Sequence, residues 1–163
     1  MAPPPRRNRC SIIADGPSSR RGDRGAALVE LALLLPFLSI VVFGTVDVGR
    51  AFSLQNRLTN MAREGAFYAQ YYPTNIAGCS GGSITAAAVN EDPTLSSAIV
   101  AVTDASTGIP VANSCGASPV PGTRIRVRVT SQMSVFTPLV GALIGDPVTI
   151  GSSTEVVVQG LQA

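Results

Sequence analysis

The chain opens polar, turns uniformly apolar, and then alternates. Residues 1–24 read MAPPPRRNRCSIIADGPSSRRGDR, with Ile12 and Ile13 as the large aliphatic residues. A segment dominated by Pro, Gly, Ser and Arg buries too little surface to fold, so a disordered leader is expected. Residues 25–46, GAALVELALLLPFLSIVVFGTV, carry one charge, Glu30. About 20 apolar residues cross a bilayer core as a helix, and this run exceeds the roughly 7–15 of a secretory signal core. Pro36 withdraws one helical hydrogen bond and predicts a bend near Ala32–Leu35. Beyond the run, Ala51, Leu54, Leu58, Met61, Gly65, Tyr68 and Tyr72 recur at steps of three and four, while Arg50, Asn56, Arg57, Asn60, Arg63 and Glu64 fall elsewhere. That is the pattern of an amphipathic helix whose apolar stripe packs on the domain that follows. One helix is therefore predicted over Ala26–Tyr72, about 70 Å long at 1.5 Å per residue, ended by Tyr72-Pro73.

From Asn75 the texture changes. Residues 77–83 (AGCSGGS) read as a loop, and Ile84–Asn90 as a short helix stopped near Asp92-Pro93. Ser97–Thr103 reads as a strand, Asp104–Gly108 as a turn and Ile109–Ala112 as a return strand. Residues 118–122 form a further loop. Thr123–Thr130 alternates strictly, with Ile125, Val127 and Val129 on one face and Arg124, Arg126 and Arg128 on the other, which predicts a half-buried strand. Pro138–Ile144 is a short apolar segment, helical or re-entrant, and residues 147–159 supply a last strand or two. The predicted class is α+β: a long transmembrane and amphipathic helix, then a small extracytoplasmic domain with an antiparallel sheet. The divisions are a leader at 1–25, a membrane helix at 26–48, its amphipathic continuation at 49–73 and the outer domain at 74–163.

Composition sharpens this picture. Hydrophobic residues make up 45% of the 163 and charged residues only 13%, against about 25% in soluble domains. All twelve cationic residues are Arg. Six of them stand in residues 1–24 against Asp15 and Asp23, a net of +4, and the rest of the chain is net −2. The basic character belongs to the leader and describes no nucleic-acid surface. Arg20, Arg21 and Arg24 directly precede the apolar run, which predicts a single pass with the N-terminus in the cytoplasm. Arg21-Gly22-Asp23 and Ser19-Arg20-Arg21 resemble an adhesive tripeptide and a twin-arginine signal, but both are short and neither has its expected context.

The chain contains no His, no CxxC pair and no glycine-rich nucleotide or nucleophile-elbow motif. Neither an enzyme nor a metal or other cofactor is expected, and function should come from membrane placement and assembly. Cys79 and Cys115 both follow the span, and extracytoplasmic cysteines in a small domain pair. Cys10 lies in the leader and is expected to stay a free thiol.

The chemistry-bearing constellation is Arg24-Gly25-Ala26-Ala27-Leu28-Val29-Glu30. A carboxylate in an apolar span costs roughly 2.5–3.5 kcal/mol at the helix centre and less near an end, so it calls for a partner. If a protease cuts after Gly25, Ala26 becomes a new α-amino terminus one turn from Glu30, and that amine, its own or a neighbour's, can pair with the carboxylate. The plainer reading is a signal anchor whose Glu30 snorkels to the interface.

This junction resembles the type IV prepilin processing site. The longer string Arg24–Pro36, with Gly44-Thr45-Val46-Asp47-Val48-Gly49-Arg50 and Leu58–Ala66, resembles the N-terminal signature of the TadE-like family of tight-adherence (Flp) pilus systems. Leu31 stands where that family often carries an aromatic residue. The resemblance covers about residues 21–70 and implies a non-enzymatic minor pilin or pseudopilin. It implies cleavage between Gly25 and Ala26 by a prepilin peptidase, Glu30 as an assembly residue, and partners among the other pilus subunits and the inner-membrane assembly platform. It places the chain in the bacterial cytoplasmic membrane, supporting a surface pilus. Two alternatives stay open: an unprocessed, TadG-like signal-anchored envelope protein, and a secreted disulfide-bonded domain cut near Ala51-Phe52-Ser53.

Overall fold

A run of 22 residues with one charge, followed by an amphipathic stripe and no internal breaker other than Pro36, gives one uninterrupted helix. The computed structural model describes residues 20–116 and 120–159, and in it this helix, α1, spans Arg20–Ala69. It starts six residues before the expected Ala26: Arg20–Arg24 continue the helix outward. Residues 1–19, where most of the expected leader falls, lie outside the described residues. The C-terminal end falls three residues short of the expected Tyr72. Tyr72 N–H still donates to Tyr68 at 3.1 Å, but Pro73 disfavours helical backbone before it, and the carbonyl of Gln70 instead accepts from Gln159 at 2.9 Å.

Two compact units result, Met1–Ser39 and Ile40–Ala163. In the first, every described side chain from 25 to 38 is exposed, although most are aliphatic or aromatic. A helix apolar all round is suited to lipid. It is long and apolar enough to cross a membrane, with a mean hydropathy of 2.5 over its most apolar window. The helix runs on through Pro36, which has no N–H to give Ala32.

The second unit is built on the rest of α1. Leu54, Leu58, Met61, Ala62, Gly65, Ala66 and Ala69 are buried, at the three- and four-residue steps of the stripe. Against them pack α2 (Ile84–Glu91), a 3₁₀ turn at Pro93–Leu95, and a sheet of β1 (Ile99–Asp104), β2 (Arg124–Met133) and β3 (Val148–Val157), with α3 (Pro138–Ile144) between the last two strands. The sheet is antiparallel in the order β1-β2-β3. Register sets Val102 opposite Val127, Val100 opposite Val129, and Ile125 opposite Val156. Those residues share the inner face and form the core with Leu58, Met61, Ala66 and Ile84. Leu58 and Met61 are wholly buried, and each burial stabilises by roughly 1.5–3 kcal/mol. Gly65 allows the close approach: a Cβ there would sit 3.3 Å from both Ala88 and Val127. On the outer face Arg126 meets Glu155 in register, Nε to Oε1 at 2.9 Å.

The fold class is the expected α+β with an antiparallel sheet. One local expectation changes. Ile109–Ala112 forms only an isolated bridge, Thr103 to Pro110: Asp104 N–H donates to Ile109 and Val111 N–H to Val102, but the Ile109 N–H goes to the Thr107 hydroxyl instead of β1. Residues 147–159 supply a single strand, β3, one of the two outcomes expected there, paired along its whole length with β2.

The loops are tied at two places. Cys79 and Cys115 form a disulfide with Cα atoms 5.5 Å apart, linking the α1–α2 loop to the β1–β2 connection. Ser114 N–H donates to Thr74 at 3.0 Å beside it, and Asn113 receives the Ile76 N–H at 3.0 Å. Closing this loop contributes about 3–4 kcal/mol in the chain-entropy account. The second tie is Asp92. Its Oδ2 lies 2.5 Å from Arg57 Nε, and its Oδ1 accepts from the Thr94 hydroxyl at 2.6 Å and the Thr94 N–H at 3.2 Å. Arg57 also donates to the Thr94 hydroxyl, so α1 is locked to the corner after α2.

The Arg57 guanidinium first, and the Thr94 hydroxyl second, hold the Asp92 carboxyl at about 2, against an ordinary 3.8. A folded value below the unfolded one means a contribution fully present above about pH 4 and lost as the pH falls through the folded value. The stability difference between the parent and Asp92→Asn, read from denaturant midpoints, is therefore expected to be constant near neutrality and to shrink towards zero near about pH 2.

Candidate functional site

Two places on α1 carry polar groups where an apolar helix would not need them. The first is the junction before the span. Gly25 and Ala26 are exposed and helical, and Glu30 follows within a turn and a half, also exposed. Among the described residues the Glu30 carboxylate makes no ion pair or side-chain hydrogen bond. Nothing lies within 4 Å of where a Cβ on Gly25 would stand. Glycine inside a helix costs roughly 0.5–1 kcal/mol relative to alanine, so packing gives no reason for it there. Ser39 and Thr45 hydroxyls donate back to Leu35 and Val41 at 2.8 and 2.7 Å, which satisfies them inside the apolar run.

The second place is Asp47, one residue past that run. The sequence marked it only as a charge on the far flank and as part of the stretch ending in Arg50. In the structure it is 5% exposed and fully engaged. Oδ1 accepts the Phe136 N–H at 3.0 Å. Oδ2 accepts the Thr137 N–H at 3.0 Å and the Thr137 hydroxyl at 2.8 Å. Arg50, one turn on, approaches Oδ1 at 3.7 Å, donates to the Ser134 carbonyl at 3.3 Å and lies 4.2 Å over the Phe136 ring.

Local chemistry explains why α3 starts there. Thr137 is its N-cap residue, yet it makes no side-chain cap, because its hydroxyl is given to Asp47. Pro138 follows in the first turn, where a missing N–H costs nothing. The helix C-caps at Gly145 with φ 91°, and Asp146 turns back to accept the Val135 N–H at 3.2 Å. A hairpin-like excursion, residues 134–147, is thus pinned at its base by two carboxylates.

Between this excursion and α1 runs an apolar groove of about 580 Å³, walled by Ile40, Val41 and Gly44 on one side and Val140, Ile144 and Ile150 on the other. Asp47 also lines it. A buried acid just past an apolar run was the signal available in the sequence, because such a group must find donors. Nothing in the sequence said that the donors stand 89 and 90 residues away.

Asp47→Ala removes both acceptors at once. Amide exchange at Phe136 and Thr137 is expected to speed up by about tenfold or more, while Val127 and Val129 in the sheet stay protected. Hydrogen exchange of the full chain in detergent micelles reads this directly.

Comparison with known proteins adds a family over part of this region. Residues 25–66 match the family model described as TadE-like protein. No curated protein and no solved structure matches the chain. The match takes in Gly25, Glu30, Pro36, Asp47 and the buried face through Ala66, and stops before α2. The family suggests a minor component associated with tight-adherence (Flp) pili. Over residues 25–66, about a quarter of the chain, the protein is thus similar to the TadE-like family.

Proposed function

We propose that the chain is a minor pilin-like subunit of a tight-adherence pilus system, cut between Gly25 and Ala26 by a prepilin peptidase. The observation that carries the reading is the Gly25–Glu30 junction: an exposed glycine with no packing role, set before a lone carboxylate in a helix otherwise apolar on all sides. The TadE-like match over the same residues supports it. The span is crossed once with the N-terminus in the cytoplasm, which the arginine excess before Gly25 supports. The domain after α1 then lies outside, where a Cys79–Cys115 disulfide persists. The subunit works by packing its apolar helix among those of other pilus subunits at the assembly platform.

Helical structure across Gly25–Ala26 favours a second reading, an uncut anchor, since a protease needs extended backbone at the bond it cuts. Glycine lowers the cost of opening that turn. The mature mass separates the two readings. Membrane-associated parent protein is expected to begin at Ala26, and Gly25→Val is expected to retain the full leader, since a branched side chain obstructs the cleft. An identical mass for parent and variant overturns the processing reading.

Glu30 separates assembly from anchoring. Glu30→Gln and Glu30→Leu are both expected to be inserted and cut, yet to assemble poorly. A charge-assisted hydrogen bond to the Ala26 amine of a neighbour contributes ~1.5–3 kcal/mol, about a 10- to 150-fold change in association. Crosslinking to other pilus subunits, with processing checked in the same sample, measures this. Parental crosslinking by a fully processed Glu30→Leu chain leaves only the snorkelling anchor.

A further inference from the structure

We propose that α3 and the Phe136 corner form an interfacial foot: they lie in the outer-leaflet boundary of the bilayer that α1 crosses, and lipid acyl chains fill the groove between α3 and α1. The inference rests on the membrane-spanning reading above and adds a lipid-binding surface to the domain.

Position along α1 is the first argument. Asp47 holds the Phe136 and Thr137 amides, so α3 begins at the level of Asp47. From there it runs beside Gly44, Val41 and Ile40, the α1 residues that share the groove with Val140 and Ile144. Ile40 stands seven residues before Asp47, about 10 Å along the axis. The foot therefore stands beside the last turns of the apolar run, in a groove that also takes in Val148 and Ile150 of β3. The run is 22 residues, about 33 Å, which matches one hydrocarbon core with little to spare. A bilayer that covers Ile40–Val46 must also reach α3.

Chemistry is the second argument. Pro138–Ile144 (PLVGALI) has no polar side chain. Phe136 is 66% exposed and Ile144 59%, beside Phe43 at 56%. Phe136 and Pro138 line a second apolar depression with Phe43 and Val46. In water this continuous patch would be an aggregation hazard, and in lipid it is ordinary surface.

Polar groups mark the boundary. Thr137, Gly141 and Gly145 continue a helical hydrogen-bond series at 2.9 Å, and Asp47 and Asp146 take the amides that the helix leaves free before it. Those bonds lower the cost of drying the corner before α3. Arg50, stacked on Phe136 with its guanidinium turned to the Ser134 carbonyl, stands where a cation meets lipid phosphates. A second protein chain could cover the same patch. Lipid is favoured because the groove wall is continuous with the span that needs lipid in any case.

The test uses the full chain in a Cys10→Ser background, with the native disulfide kept. Single labels of an environment-sensitive nitrobenzoxadiazole are placed through Ile144→Cys, Phe43→Cys or Ile109→Cys, all at exposed positions. The proteins are reconstituted in phosphatidylcholine–phosphatidylglycerol vesicles with and without doxyl-labelled lipid. Labels at Ile144 and Phe43 are expected to show blue-shifted emission and comparable loss of fluorescence with doxyl lipid, while the label at Ile109 keeps aqueous emission and is unquenched. Quenching at Phe43 with aqueous emission at Ile144 overturns the foot and leaves the anchor intact. Blue-shifted but unquenched emission at Ile144 means that protein covers it, and also overturns the proposal. No quenching at Phe43 removes the span itself, and the foot with it.

Discussion

One helix has to satisfy two solvents. From residue 25 to 38 every described side chain of α1 is exposed and nearly all are apolar, so that stretch is stable only where water is absent. From Leu54 to Ala69 the same helix supplies the central strip of the core, against which the sheet and α2 pack. The sheet has only three strands, and α2 has eight residues. Without α1 neither has an apolar surface to cover it. The domain is therefore not an independent globule on a tether: its folding requires the helix that also carries the apolar run.

The handover between the two environments falls at residues 44–50, where the polar chemistry concentrates. A carboxylate at that depth is costly unless its lone pairs are filled. Asp47 fills them with two backbone amides and a hydroxyl from residues 136 and 137, and Arg50 adds a cation. The result joins the C-terminal half of the chain to α1 just past its apolar run. This gives the domain a second attachment besides the buried stripe, and it sets α3 alongside the helix. Arg57 and Asp92 do the corresponding work higher up, tying the helix to the corner after α2.

Such an arrangement separates two tasks. Residues 25–38 supply a uniform apolar surface with Glu30 as its one charge. The domain is reinforced by its disulfide, which ties the α1–α2 loop to the β1–β2 connection. Positions in the domain are set by a few charged hydrogen bonds laid on a large apolar scaffold.

Much of this was legible in the sequence because it is local or periodic. The apolar run, the three- and four-residue stripe through Leu58 and Met61, and the alternation Ile125–Val127–Val129 each declare their element without reference to anything distant. The TadE-like resemblance was equally local, confined to consecutive residues of one helix. Boundaries were less legible: the helix began at Arg20 and ended at Ala69, since ends depend on neighbouring backbone, such as the Gln159 amide that meets Gln70. The return strand at Ile109–Ala112 shrank to one bridge, because the Ile109 N–H turns to Thr107 and the Gly108 N–H takes the Asp104 carbonyl. Wholly invisible were the pairings across the chain. Asp47 with Phe136 and Thr137, and Arg57 with Asp92, are contacts between residues 35 to 90 positions apart. A hydrogen bond is short and directional, so sequence can announce that a buried acid needs donors. Only the packed chain decides which amides arrive within 3 Å of it.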